Sequence, residues 1–99
     1  MGTRLELQTL LETLTSVVYF QPPDGLSMEY PCIVYKRDNM GTDFANNSPY
    51  HLTTRYLVTV IDRSPDSTIT PLVASLPLCI YNRGYAARNL NHDVFNLYF

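Results

Sequence analysis

The chain has 99 residues, 45% of them aliphatic or aromatic, and its seven basic and nine acidic side chains leave a net charge of −2. That length allows one domain, spanning 1–99, in which folding hides roughly two-thirds of the unfolded chain's surface, so the core is thin. Charges spread without a run of either sign lack the basic footprint of a protein that grips nucleic-acid phosphates, and no stretch approaches the ~20 apolar residues of a membrane span.

The first element opens with an amphipathic pattern rather than an apolar signal core, so the chain is expected to be soluble and not exported. Thr3-Arg4-Leu5-Glu6 fits a capping box, in which the Thr hydroxyl accepts from a first-turn N–H and Glu6 reaches back to the cap residue's own N–H. A helix starts there, and Leu7, Leu10, Leu11 and Leu14 give it one apolar stripe at i, i+3, i+4 and i+7. Val17-Val18-Tyr19-Phe20 is β-branched and aromatic, a short first strand. Gln21-Pro22-Pro23-Asp24-Gly25 breaks regular structure, because prolines cannot donate to a ladder and Asp-Gly favours a turn. Tyr30-Pro31 then delivers the chain to a strand at Cys32-Ile33-Val34-Tyr35-Lys36-Arg37.

Residues 38–50 carry the Asn, Gly, Ser and Pro of a long loop, yet Met40, Phe44 and Tyr50 are large apolar groups that a free surface loop would rather lack. Either they tuck back over the sheet edge or they dock into a neighbouring subunit. From Leu52 to Ile61 a long strand puts Tyr56, Val58 and Val60 on one face and Arg55, Leu57, Thr59 and Ile61 on the other, the period-2 signature of a half-buried antiparallel strand. Ser64 or Asp66 then offers a helix cap, with Pro65 suited to a first turn, and Ile69, Leu72, Val73 and Leu76 repeat the helical stripe. Pro71 would break a hydrogen bond anywhere beyond the first turn, so the regular helix begins near Thr70, and Pro77 ends it. Leu78 to Tyr85 forms another strand, Ala86 to Asn91 a connection, and His92 to Phe99 a last strand with Phe95 and Leu97 on one face and Val94 and Tyr98 on the other.

The economical packing for that order is an α+β fold: a four- to five-stranded, mostly antiparallel sheet with two helices packed on one face. The other face mixes polar and apolar groups, as a sheet does when an adjacent protein shields part of it. Eight Tyr and four Phe supply all the aromatic content, and tyrosine, with an apolar body and a polar tip, serves subunit interfaces as readily as cores.

Chemistry is sparse. Cys32 and Cys79 each sit in a strand among apolar neighbours and read as buried thiols. His92-Asp93 is adjacent in a strand, so the two side chains point to opposite faces, and His51 stands alone beside the loop. There is no phosphate loop, HExxH, CxxC or GxSxG, and Asp62, Arg63 and Asp66 are explained by a turn and cap. No catalytic, cofactor-binding or metal-binding residue is assigned. An RNA-reading sheet would need exposed aromatics such as Tyr35, Tyr56 and Tyr81, but the basic signature of such modules is missing.

The runs Tyr19-Phe20-Gln21-Pro22-Pro23, Tyr30-Pro31-Cys32-Ile33-Val34-Tyr35, Arg55 through Asp62 with Pro65-Asp66-Ser67, and Asn89-Leu90-Asn91-His92-Asp93-Val94-Phe95 together resemble the small tail-terminator (tail-completion or minor capsid) proteins of long, flexible-tailed bacteriophages. The resemblance covers nearly the whole chain in spaced blocks. It implies a structural virion protein, assembled in the host cytoplasm, that forms a homo-hexameric ring on the tail tube, stops tube polymerisation and presents the surface for the head-completion or connector protein. DNA would pass through such a ring without specific binding, and no enzyme activity, cofactor or membrane is implied. A neck or head-closure subunit of the same particle is the related alternative. A closed ring needs one patch meeting a different patch on the next copy; Met40, Phe44 and Tyr50, with Arg83, Tyr85 and Arg88, are the candidates for the subunit or tube contact.

Overall fold

The structure, a computed structural model, describes residues 3–23, 25–45 and 48–99, and the side chains of all of these except 39–45 and 48–54. Helix α1 (Arg4–Glu12) begins at the expected capping box: the Thr3 Oγ1 accepts from the Glu6 N–H at 3.2 Å, and the Thr3 N–H donates to Glu6 Oε1 at 3.4 Å. Strands β1 (Val18–Phe20), β2 (Cys32–Ala45) and β3 (Ser48–Asp62), helix α2 (Ile69–Ala74), and strands β4 (Cys79–Ala87) and β5 (Leu90–Tyr98) follow. They build an α+β fold with one five-stranded sheet in the order β1-β2-β3-β5-β4. Only β1 and β2 run parallel, paired Val18 to Ile33 through Phe20 to Tyr35; every other pairing is antiparallel.

Strand register decides which residues share a face. Ile33 lies opposite Val60, Tyr35 opposite Val58, Val58 opposite Phe95 and Tyr56 opposite Leu97, so these seven face the same way. Leu7 and Leu11 from α1, with Ile69 and Val73 from α2, close over them into one buried cluster. Both helices therefore cover a single face, as an amphipathic stripe and a period-2 strand require when there is only enough chain for two layers. Tyr35 is fully buried at the centre, its ring against Phe20 at 4.8 Å and Tyr56 at 6.0 Å. Its hydroxyl donates to Gln8 Oε1, which satisfies the buried polar tip and ties α1 to the sheet.

Three expectations change. The segment read as a loop over 38–50 is strand: β2 continues to Ala45 and β3 begins at Ser48, leaving two intervening residues, the spacing of a tight hairpin. Its Asn, Gly and Asp residues are poor strand formers, and the ladder between the two strands overrides that preference. The start of α2 also moves. Asp62 Oδ1 accepts from the Ser64 N–H at 3.0 Å and the Ser64 Oγ accepts from the Asp66 N–H at 3.1 Å, so the Ser64 side chain serves a turn ahead of the helix, and Asp66 belongs to that turn through its N–H. The helix starts at Ile69 with Thr68 as an N-cap that makes no side-chain bond. Pro71 is then its third residue, where an N–H would have no intrahelical partner, so the proline costs no hydrogen bond. Leu72 falls at the margin of the stripe and is 44% exposed. The connection expected over 86–91 shrinks to Arg88 and Asn89, whose φ values of 53° and 63° suit the left-handed pair of a type I′ turn.

One glycine is held by its surroundings. A register shift between Tyr81 and Arg83 brings the Tyr81 ring back across the strand, edge-on to Phe95 at 5.3 Å, with its hydroxyl donating to Asp93 Oδ1 at 3.3 Å. A Cβ on Gly84 would collide with that hydroxyl and stand 3.1 Å from Asp93 Oδ1. Gly84→Val is expected to displace the Tyr81 ring and lower stability by about 1–3 kcal/mol, combining overpacking with a lost hydrogen bond. Urea titrations of both singles and the double variant with Tyr81→Ala check this: the cost of Gly84→Val must shrink once the ring is gone.

A candidate assembly surface

Beyond Arg55 the β2–β3 hairpin leaves the sheet. Arg55 opposite Tyr98 is the last pairing of β3 with β5, and β1 pairs with β2 only as far as Tyr35. From the Asn39–Arg55 pair to the Ala45–Ser48 pair the two strands bond, among the described residues, only to each other. Seven residues of β2 at ~3.3 Å each make a ribbon of about 23 Å. The longest dimension of the molecule, 51 Å against 26 and 24 Å, agrees with such an arm. A register shift at Asp38 marks its base, where the Arg55 Nε donates to Asp38 Oδ2 at 2.7 Å. Water reaches both side chains and screens this ion pair, so it marks the base of the arm without fixing it.

The six candidate contact residues divide between two places. Met40 and Phe44 lie on the β2 half of the arm and Tyr50 on its β3 half; their side chains fall outside the described set, as does that of His51. Arg83 and Tyr85 lie on β4, and Arg88 in the turn that follows, at the far end of the sheet. Tyr85 pairs with His92 and His92 with Ile61. From Ile61 to Ser48 is 13 steps along β3, or ~43 Å at ~3.3 Å per residue. The tip of one copy's arm therefore lies far from the Tyr85–Arg88 end of that copy's own β4.

Strand β4 is an edge strand, and everything after Cys79 in it is exposed. Its outer side carries a column of rings: the Arg83 guanidinium stands 5.7 Å from the Tyr85 ring, which stacks on His92 at 4.5 Å and 7°. Asp93 turns to the helix face instead, accepting from the Thr70 Oγ1 at 2.9 Å, so His92 and Asp93 diverge as their strand positions require. The residues that sequence reasoning passed over here are Leu78 and Ile80, exposed by 71% and 60%. Leu78 sits at φ 57°, an outlier for a bulky side chain, while its carbonyl accepts from the Tyr98 N–H. Their signal was the apolar run Leu78-Cys79-Ile80-Tyr81; what no periodicity reveals is that this run lies at the rim of the sheet.

The opposite rim is also basic. Two guanidinium groups stand over the Phe20 ring, that of Arg4 4.6 Å from its centroid and that of Arg37 at 5.4 Å. Gln21, Pro22, Val34, Lys36 and Arg37 line an open groove beside β2, where the Arg37 N–H donates to Gln21 Oε1 at 3.3 Å.

Other chemistry is thin among the described residues. Cys32 is fully buried on the face away from the helices, and burial pushes its thiol up to about 11, so it is protonated and inert at neutral pH. Cys79 is half-buried against the core, and burial raises its thiol as well. Three strand spacings, about 14 Å, separate β2 from β4, beyond the reach of a disulfide. No group of His, Cys, Asp or Glu among the described residues is arranged to hold a metal ion, and no described helix is long and apolar enough to cross a membrane. Tyr35 and Tyr56 are buried in the core, which removes two of the three rings that an RNA-reading sheet would need.

Family models, curated proteins and solved structures contain no match to this chain.

Proposed function

We propose that the protein is a tail terminator of a long-tailed bacteriophage: a structural virion subunit whose copies close into a ring, a homo-hexamer by the resemblance described above. The ring caps the tail tube, ends its polymerisation and presents a surface to the head-completion or connector protein. The observation that carries this reading is the pair of unlike surfaces at opposite ends of one sheet, the projecting arm and the exposed rim of β4. A closed ring of identical copies requires two different patches that meet head to tail, and a molecule whose patches lie far apart within one copy satisfies them in an assembly. The column of Arg83, Tyr85 and His92 has the aromatic and arginine character of contact centres between proteins. A channel for DNA is also better without a strongly basic chain, and the net charge of −2 agrees with that.

Polymerising tail-tube subunits with and without this protein tests the reading. Tubes grown with it are expected to stop at limited length and to carry a ring at one end in electron micrographs. Tubes of unlimited length with bare ends overturn the proposal, and binding to the head connector instead of the tube would assign the protein to the neck.

A further inference from the structure

We propose that the contact between neighbouring copies is strand addition: the β2 half of one copy's arm, Asn39–Ala45, pairs along the open edge of β4 in the next copy. This rests on the ring reading above and names how its two patches join. The turn at Arg88 and Asn89 closes on the Ala87–Leu90 pair. In a two-residue hairpin that pair exchanges both hydrogen bonds, and the pattern alternates along the strand. Arg83, Tyr85 and Ala87 therefore turn their backbone groups to β5, and Gly84 and Ala86 aim theirs outward at an edge with no partner among the described residues.

Such an edge is a template for another strand, and proline or lysine usually blunts it; β4 has neither. The arm supplies the complement. Its β2 half contains no proline, whereas its β3 half contains Pro49, which cannot donate. Charge selects the same pairing. Residues 79–89 carry Arg83 and Arg88 and no acid, while residues 39–54 carry Asp43 and no Lys or Arg. Joining the two rims of the sheet would set Arg83 and Arg88 against Lys36 and Arg37, and joining β4 to a second β4 would set arginines against arginines. Leu78, exposed and held at positive φ at the foot of β4, places an apolar side chain beside the incoming strand.

Amide hydrogen exchange on the full chain, dispersed and then assembled on tail tubes, tests this. The amides of Gly84 and Ala86 and the alternate amides of Asn39–Ala45 that face away from β3 are expected to slow together, by at least about tenfold, on assembly. Ala86→Pro, which deletes only an outward donor, should abolish assembly with an unchanged urea midpoint, while Ala86→Val, which keeps the donor, assembles normally. Should Ala86→Pro fail to fold, the exchange data decide. Assembly with Gly84 and Ala86 still exchanging freely overturns strand addition and leaves the ring intact. Protection of β4 without the arm overturns it in favour of pairing between two β4 edges. A chain that stays monomeric in the presence of tubes ends the ring reading and this one with it.

Discussion

Phe95→Ala is expected to lower the stability of the chain by about 3–5 kcal/mol, the range for deleting a fully buried Phe side chain. The ring has no exposed surface, stands between Val58 on β3 and Tyr81 on β4, and lies under both helices in the buried cluster. Nothing of its size is available to collapse into the cavity, because β5 is held on both sides by its neighbours in the sheet. A domain of this length has about 5–15 kcal/mol in total, so the loss is roughly a fifth or more of the whole. Urea unfolding followed by far-ultraviolet circular dichroism measures it. A cost below about 1 kcal/mol would mean that Phe95 is not at the centre of the core.

Replacing residues 39–54 by a two-residue Asn-Gly turn is expected to separate folding from function. The arm pairs with nothing else among the described residues, and the described side chains of the buried cluster all come from outside it. The shortened chain keeps Arg37 opposite Tyr56 and brings Asp38 opposite Arg55 as the pair that flanks the two-residue turn. Its urea midpoint should stay near that of the parent, within the ~0.5 kcal/mol typical of changes away from the core. Ring formation and the capping of tubes should both disappear, since one of the two surfaces is gone. Light scattering with tube subunits present reads the outcome; an armless chain that still caps tubes would remove the arm from the mechanism.

Much of the fold is legible in the residues, for identifiable reasons. Thr3 and Glu6 announce α1 because the capping box is a local hydrogen-bond pattern, and the leucine stripe says which side it buries. Tyr56, Val58 and Val60 announce the buried face of β3 because period 2 is a property of the strand itself. The arm is not legible: Asp38-Asn39-Met40-Gly41-Thr42-Asp43 has the composition of a loop, and its strand state comes from pairing with 48–54 across the hairpin. The cap of α2 misleads for a similar reason, since Ser64 satisfies turn groups rather than helix N–H groups. For the candidate surface, Arg83, Tyr85 and Arg88 are exposed as expected, but their separation from the arm is set by strand order, which no single segment encodes. Leu78 and Ile80 were hidden by the same fact, because an apolar strand reads alike whether it lies at the centre of a sheet or at its rim.

Strand order also governs when the molecule can be finished. β5 follows β4 in the chain, yet it belongs between β3 and β4, and its Phe95 and Leu97 belong to the core. A nascent chain can fold α1 and zip the β2–β3 hairpin, but it cannot seat β4 until β5 has emerged. A chain that lacks β5 therefore lacks the wedge that joins the two halves of the sheet, and it leaves β3 and β4 each without this neighbour.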